Sequence, residues 1–196
     1  MRKYFIFLFF ILINFPSNSF SFEKEAENFI LKTTQEAKKI ILDSSIKEIE
    51  KKKKLEELAL NYVDVEGLAK YALGEEIKTI SNDQLLKYVS TFKIFFSKNI
   101  SNKLKDYSDQ NVKILGSKKI SENYVLVNSK IISLKDKQEI IVDWRVFLIN
   151  NKLIIRDLVV EGLSLARTQK EEFASIIANR RIEGLIENLE NFISKN

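Results

Sequence analysis

The stretch Asp143-Trp144-Arg145-Val146-Phe147-Leu148-Ile149-Asn150-Asn151-Lys152-Leu153-Ile154-Ile155-Arg156-Asp157-Leu158-Val159-Val160-Glu161-Gly162-Leu163-Ser164 decides the fold. Two runs rich in β-branched and aromatic residues flank a pair of asparagines, the pattern of two strands joined by a short hairpin loop. A loop of Asn150 and Asn151 alone pairs Ile149 with Lys152, Phe147 with Ile154, Arg145 with Arg156 and Trp144 with Asp157. In that register one face collects Ile140, Val142, Trp144, Val146, Leu148, Leu153, Ile155 and Val159, with Asp157 and Glu161 as its only acids. The other face mixes Ile141, Phe147, Ile154, Leu158 and Val160 with Asp143, Arg145 and Arg156. A sheet with one wet side needs a single apolar face. Here both sides call for cover, either by helices on both or by a dry cavity on one.

Upstream of the hairpin, Val112 to Lys119 alternates as a strand with Gly116 at a bulge, Tyr124 to Leu134 makes a second, and Lys135-Asp136-Lys137 supplies the turn. Before residue 109 the period is helical. Phe22 to Ile41 reads as a first helix. Ser45 with Glu48 reads as a capping box for a second helix that buries Ile46, Ile49, Leu55, Leu58 and Ala59. Asp64 caps a third, ended by Gly74, with Leu68 and Tyr71 facing inward. Ser81 with Gln84 caps the fourth and longest, striped by Leu85, Val89, Phe92, Phe96, Ile100 and Leu104. After the hairpin, Thr168 with Glu171 caps a helix carrying Phe173, and a last helix runs through Ile182, Leu185 and Leu189. The expectation is an α+β domain: a four-stranded, mostly antiparallel curved sheet wrapped by about six helices.

At 196 residues, 45% apolar and 30% charged, the chain suits one globular domain. Arg2 and Lys3 precede a ten-residue apolar run, Tyr4 to Ile13, which is followed by Pro16 and a group of serines. As a helix that run would reach about 15 Å, against a hydrocarbon core of ~30 Å, so residues 1–21 read as a cleavable export signal and 22–196 as the domain. From residue 22 onward 30 basic residues face 27 acidic ones, a net of +3, which weakens the case for nucleic acid made by the pI of 9.2. Lys51-Lys52-Lys53-Lys54 reads as a solvated helix surface or as a contact for anionic head groups. With no Cys and no His, thiol nucleophiles, Ser-His-Asp triads and thiolate or imidazole metal sites are excluded.

Asp157, Val159-Val160-Glu161-Gly162 and Leu163-Ser164 resemble the signature that closes the sheet in the MlaC family of periplasmic phospholipid-binding proteins, also called the toluene-tolerance family. Tyr62-Val63-Asp64, Tyr71-Ala72-Leu73-Gly74, Asp143-Trp144-Arg145 and Ile182-Glu183-Gly184-Leu185 fall in the matching order. One departure is Arg180-Arg181, where many relatives carry a glycine. The resemblance implies a cone-like fold similar to nuclear-transport-factor-two and cystatin-like domains. It also implies a periplasmic phospholipid carrier, not an enzyme, that helps keep outer-membrane lipid asymmetry. Its partners would be an outer-membrane MlaA-type lipoprotein complex and the MlaD-type subunit of an inner-membrane ABC transporter. No cofactor is expected.

A carrier of two acyl chains must enclose on the order of 30 methylenes, worth on the order of 25 kcal/mol at ~0.8 kcal/mol each. Val142, Trp144, Val146 and Val159 of the sheet, facing Leu68, Tyr71, Val89, Phe92 and Phe96 of the helices, are the candidate walls. The same side chains would serve equally as ordinary core, because core and pocket share a composition. Asp143, Arg145 and Arg156 read as an ion cluster or as a head-group contact at the rim. Asp157 beside Trp144 reads as a carboxylate satisfied by N–H groups, or as the base of an isomerase or hydrolase of the same cone fold. Glu161-Gly162 ends the strand. A ligand-free periplasmic scaffold is the third reading.

Overall fold

Ser21 caps the first helix, its hydroxyl accepting from the Lys24 N–H, and the apolar spacing that follows carries the helix to Leu42 (α1, Phe22–Leu42). The computed structural model describes residues 21–104, 110–135 and 137–196. The expected export signal falls outside the described residues but for Ser21, as does Asp136 of the expected turn. After α1 come α2 (Glu48–Tyr62), α3 (Val65–Leu73), a 3-10 turn (Gly74–Lys78) and α4 (Asn82–Leu104). Then follow β1 (Gln110–Ser121), β2 (Tyr124–Ser133), β3 (Glu139–Ile149), β4 (Lys152–Val160), β5 (Leu163–Ser164) and α5 (Leu165–Lys195). The sheet runs β1-β2-β3-β4-β5 in chain order, and every neighbour is antiparallel.

The α+β class is the one expected, with two differences in detail. The turn at Glu161-Gly162 (φ 48° and 83°) folds Leu163-Ser164 back onto Val159-Val160 as a fifth strand. The last two expected helices follow one another as the two halves of α5, broken at Arg181 (φ 55°, ψ −171°), so among the described residues five α-helical elements, the last in two parts, stand where about six were expected.

Several local signals act as read. Ser81 and Gln84 cap α4 reciprocally: the Ser81 N–H donates to Gln84 Oε1 at 2.8 Å and the Gln84 N–H to Ser81 Oγ at 3.2 Å. Asp64 caps α3 by accepting from the Gly67 N–H at 3.0 Å, and Gly74 ends it at φ 58°. Asn150 and Asn151 both adopt positive φ, 49° and 59°, as a two-residue hairpin turn requires. Two caps differ. Ser45 turns its hydroxyl and N–H onto Asp43 Oδ1, so α2 starts after Lys47 with no side-chain cap. Ser164, not Thr168, caps α5, accepting from the Arg167 N–H at 3.1 Å. Leu55 and Ala59 are the buried residues of α2, whereas Ile49, in its first turn, is 79% exposed rather than inward.

The hairpin register holds from Ile149↔Lys152 to Val146↔Ile155 and then slips: Arg145 pairs with Asp157 and Trp144 with Leu158, leaving Arg156 as an extra residue. One bulged residue moves everything beyond it to the other face. The expected pairs Arg145–Arg156 and Trp144–Asp157 are therefore corrected. Leu158 and Val160 join the Trp144 face, where both pack on the apolar cluster. Asp157 and Val159 lie on the face of Asp143 and Arg145.

Candidate functional site

Val142, Trp144 and Val146 of β3 are buried on one face of the sheet, beside Val125 and Val127 of β2 and under Ala26 and Ile30 of α1. The Trp144 indole N–H donates to Ser129 Oγ at 2.7 Å, and that hydroxyl donates to the Val142 carbonyl at 3.0 Å. This satisfies the polar atoms of an otherwise apolar wall. Val159, expected on this wall, is on the opposite face because of the bulge at Arg156.

The helical candidates form a second wall. Phe92 is buried between Tyr88 and Phe173, and Phe96 stacks on it with ring centroids 6.1 Å apart and planes at 21°. Leu68 and Val89 pack half-buried against this cluster. Tyr71, expected inward, is 47% exposed with the Lys170 ammonium 5.3 Å from its ring centre. α4 packs on α2, α3 and α5. Phe92 and Phe96 thus belong to a helical cluster separate from the Trp144 cluster, and the two walls are not in the face-to-face contact read from the sequence.

Where the walls approach, Val63 packs against both clusters, the one described side chain to do so. Its backbone makes a parallel bridge to Ile155 of β4, and the Asp64 N–H donates to the Ile155 carbonyl at 2.9 Å. Three surface depressions of about 330 to 490 Å³ lie elsewhere, at the end of α1, between α4 and α5, and among α1, α2 and α4. None is lined by a candidate wall residue.

The polar candidates are tied down. Arg156 Nε donates to Asp64 Oδ2 at 2.7 Å, and its guanidinium lies 4.9 Å over the Phe147 ring, which stacks on Tyr124 at 4.4 Å. Asp157 accepts from Ser164 Oγ at 2.6 Å and the Ala166 N–H at 2.9 Å, with Arg145 Nη1 3.3 Å away. Asp143 accepts from Asn128 Nδ2 at 2.8 Å, and Glu161 Oε1 from the Ile141 N–H at 2.5 Å. The premise of the isomerase reading was an acid on the Trp144 face. The register removes it: Asp157, on β4, clamps the start of α5 to the sheet.

Tyr88 was missed. It is fully buried, donates to the Ala69 carbonyl at 3.0 Å, and burial pushes its phenol well above the ordinary range. Its spacing three residues after Leu85 and four before Phe92 is the signal that could have placed it inside.

The MlaC protein family model matches residues 31–191. The chain belongs to the MlaC family. Seven solved chains resemble it. One is a phospholipid-binding protein from Ralstonia solanacearum in complex with a phospholipid, 19% identical, with a TM-score of 0.72 over 87% of this chain and 97% of that one. At that identity the likeness is one of fold. Comparison with curated proteins gives no match.

The motifs of this MlaC-family chain have identifiable structural roles. In Tyr62-Val63-Asp64, Tyr62 donates to Glu36 at 2.6 Å, Val63 joins the two clusters and Asp64 caps α3. In Ile182-Glu183-Gly184-Leu185, Gly184 is buried and an added Cβ would lie 2.2 Å from Arg180 Cβ. The departure at Arg181 falls on the backbone conformation that only glycine adopts freely, so the break between the helices persists without the glycine.

Proposed function

We propose that this chain is a periplasmic phospholipid carrier that takes acyl chains along the seam marked by Val63, between the Trp144 wall of the sheet and the Phe92–Phe96 wall of the helices. Residues 1–21 would direct export, and 22–196 would form the carrier domain. The observation that carries the reading is the division of the apolar interior of an MlaC-family chain into two clusters that share one side chain. Acyl chains entering there would offset any apolar burial lost between the clusters at ~0.8 kcal/mol per methylene. The phospholipid held by the similarly folded Ralstonia protein supports the same cargo.

On this reading the chain performs no covalent chemistry and ferries lipid between the membranes, serving outer-membrane lipid asymmetry. Its partners are an outer-membrane MlaA-type lipoprotein complex and the MlaD-type subunit of an inner-membrane ABC transporter, which supplies the energy. Arg145 and Arg156 are anchors of the fold more than head-group ligands, since each already has a carboxylate partner. Native mass spectrometry and organic extraction of the protein recovered from the periplasm provide the test. Co-purified phospholipid is expected, and recovery free of lipid from an intact preparation would overturn the reading.

A further inference from the structure

The corner where α1 turns into α2 combines charge and exposed apolar surface in a way the seam does not use. Residues 38–54 hold seven lysines and three acids, a net of +4, against +3 for the whole of 22–196, so the rest of the domain is slightly acidic. Lys51 and Lys54 are paired with Glu48 and Glu50. Lys38 donates to the Gln110 carbonyl and Asn111 Oδ1, and Lys52 to the Asn196 carbonyl. Lys39, Lys47 and Lys53 are exposed and have no ion pair among the described residues.

Amid these lysines Ile49 is 79% exposed, the highest of the large apolar side chains described, and Leu42 is 55% exposed. Leu42 is the last residue of α1 and Ile49 the second of α2, so both flank one turn. Ile49 edges a depression of about 460 Å³ that it shares with Ile41, Leu55, Lys51 and Lys52. Ile49 and Lys53, four residues apart, share one side of α2, and Lys39 and Leu42 line one depression at the end of α1, so apolar and basic side chains alternate across the corner. An anionic lipid surface accommodates both features: the aliphatic tips enter the head-group boundary while lysine stems reach lipid phosphates.

We propose that the α1–α2 corner, built around Ile49, Leu42, Lys39, Lys47 and Lys53, docks transiently on the surface of anionic bilayers. The contact is peripheral, because among the described residues no helix is long and apolar enough to cross a membrane. It stands whether or not the seam takes acyl chains, since it requires no cargo.

Co-sedimentation with vesicles of phosphatidylcholine alone and of phosphatidylcholine mixed with phosphatidylglycerol tests this. Each variant is made in the same chain, so that any contribution from residues 1–20 cancels. Pelleting with the anionic vesicles only is expected, declining as salt shortens the Debye length from ~10 Å at 0.1 M. Lys47→Glu with Lys53→Glu should lower the apparent affinity tenfold or more, at roughly one lysine's worth of attraction per site and repulsion in its place. Ile49→Ser should lower it severalfold and leave the salt dependence unchanged. Lys118→Glu with Lys119→Glu, an equal charge change on exposed β1 lysines, should have little effect. All these positions are exposed, so the melting temperature should stay at that of the parent. Equal pelleting with both vesicles, no pelleting, or an equal loss from the β1 variant would overturn the proposal. So would a dimer that Ile49→Ser dissolves, which would give the corner to a second copy.

Discussion

Arg156 and Asp64, ninety-two positions apart, meet at 2.7 Å because the bulge in β4 frees Arg156 from the ladder beside the point where Val63 bridges Ile155. The contact joins the helical part of the chain to the sheet next to the seam, and Asp64 also caps α3. Asp64→Ala removes both functions and should cost about 1–2 kcal/mol, mostly from the cap. Asp64→Asn keeps an acceptor for the Gly67 N–H and loses a half-exposed ion pair worth about 0–1 kcal/mol. Urea unfolding of the two variants measures the difference, and equal losses would contradict the assignment.

Asp157 binds the Ser164 hydroxyl and the Ala166 N–H at the start of α5. Asp157→Ala leaves the buried Ala166 N–H and the half-buried Ser164 hydroxyl without this acceptor, and a loss of about 2–4 kcal/mol is expected from two hydrogen bonds to a charged group. Asp157→Asn should recover part of it. Amide exchange at Ala166 should rise in both, before exchange elsewhere in the sheet does.

Arg181 stands at φ 55°, ψ −171°, a conformation that costs a non-glycine residue about 1–3 kcal/mol. Arg181→Gly relieves that strain while losing about 0.5–1 kcal/mol to the flexibility of glycine in the unfolded chain. A net gain of about 1 kcal/mol in thermal unfolding is expected. Gly184→Ala should go the other way, since its methyl would stand 2.2 Å from Arg180 Cβ.

Phe96 is half-buried at the margin of the helical wall, whereas Val146 is fully buried beneath α1. Phe96→Arg can turn its charge outward along an apolar stem. It should keep the circular dichroism of the parent and reduce the phospholipid that co-purifies. Val146→Arg would bury an unpaired cation, a change of the kind that costs more than about 4 kcal/mol, and should unfold the protein.

Glu27 accepts from Ser117 Oγ at 2.7 Å, linking α1 to β1, and this bond, aided by Lys24, holds its carboxyl below the usual carboxylate value despite some desolvation. With the lower pKa in the folded state, the unfolded chain binds the proton more readily. The contribution is therefore present above the ordinary value of 4.5 and drains away as pH falls through the depressed one. Glu27→Gln should flatten the pH dependence of unfolding in that acid interval, lowering stability at neutral pH and leaving it nearly unchanged below the interval.

Much of the architecture was legible from short-range chemistry. The Ser81–Gln84 cap, the Asp64 cap, the asparagine hairpin and the Gly116 bulge follow from residues within four positions of one another. The bulge at Arg156 has no such marker, since arginine is an ordinary strand residue. Its single-residue slip moved Asp157 and Val159 off the Trp144 face and brought Leu158 and Val160 onto it. The separation of the Phe92 cluster from the Trp144 cluster was likewise hidden: periodicity tells which side of a helix is apolar and not what it meets. Ile49 kept its helical spacing but lies ahead of the part of α2 that buries Leu55 and Ala59.

An interior shared out between sheet and helices, with Val63 common to both, sets how the molecule gives way under stress. Amide protons should fall into two protection classes, one for the strands under α1 and one for α3, α4 and α5, because each set of contacts is sustained mainly from within. Ligand entering between them would merge the classes into one, so exchange rates in the sheet would report on cargo held against the helices.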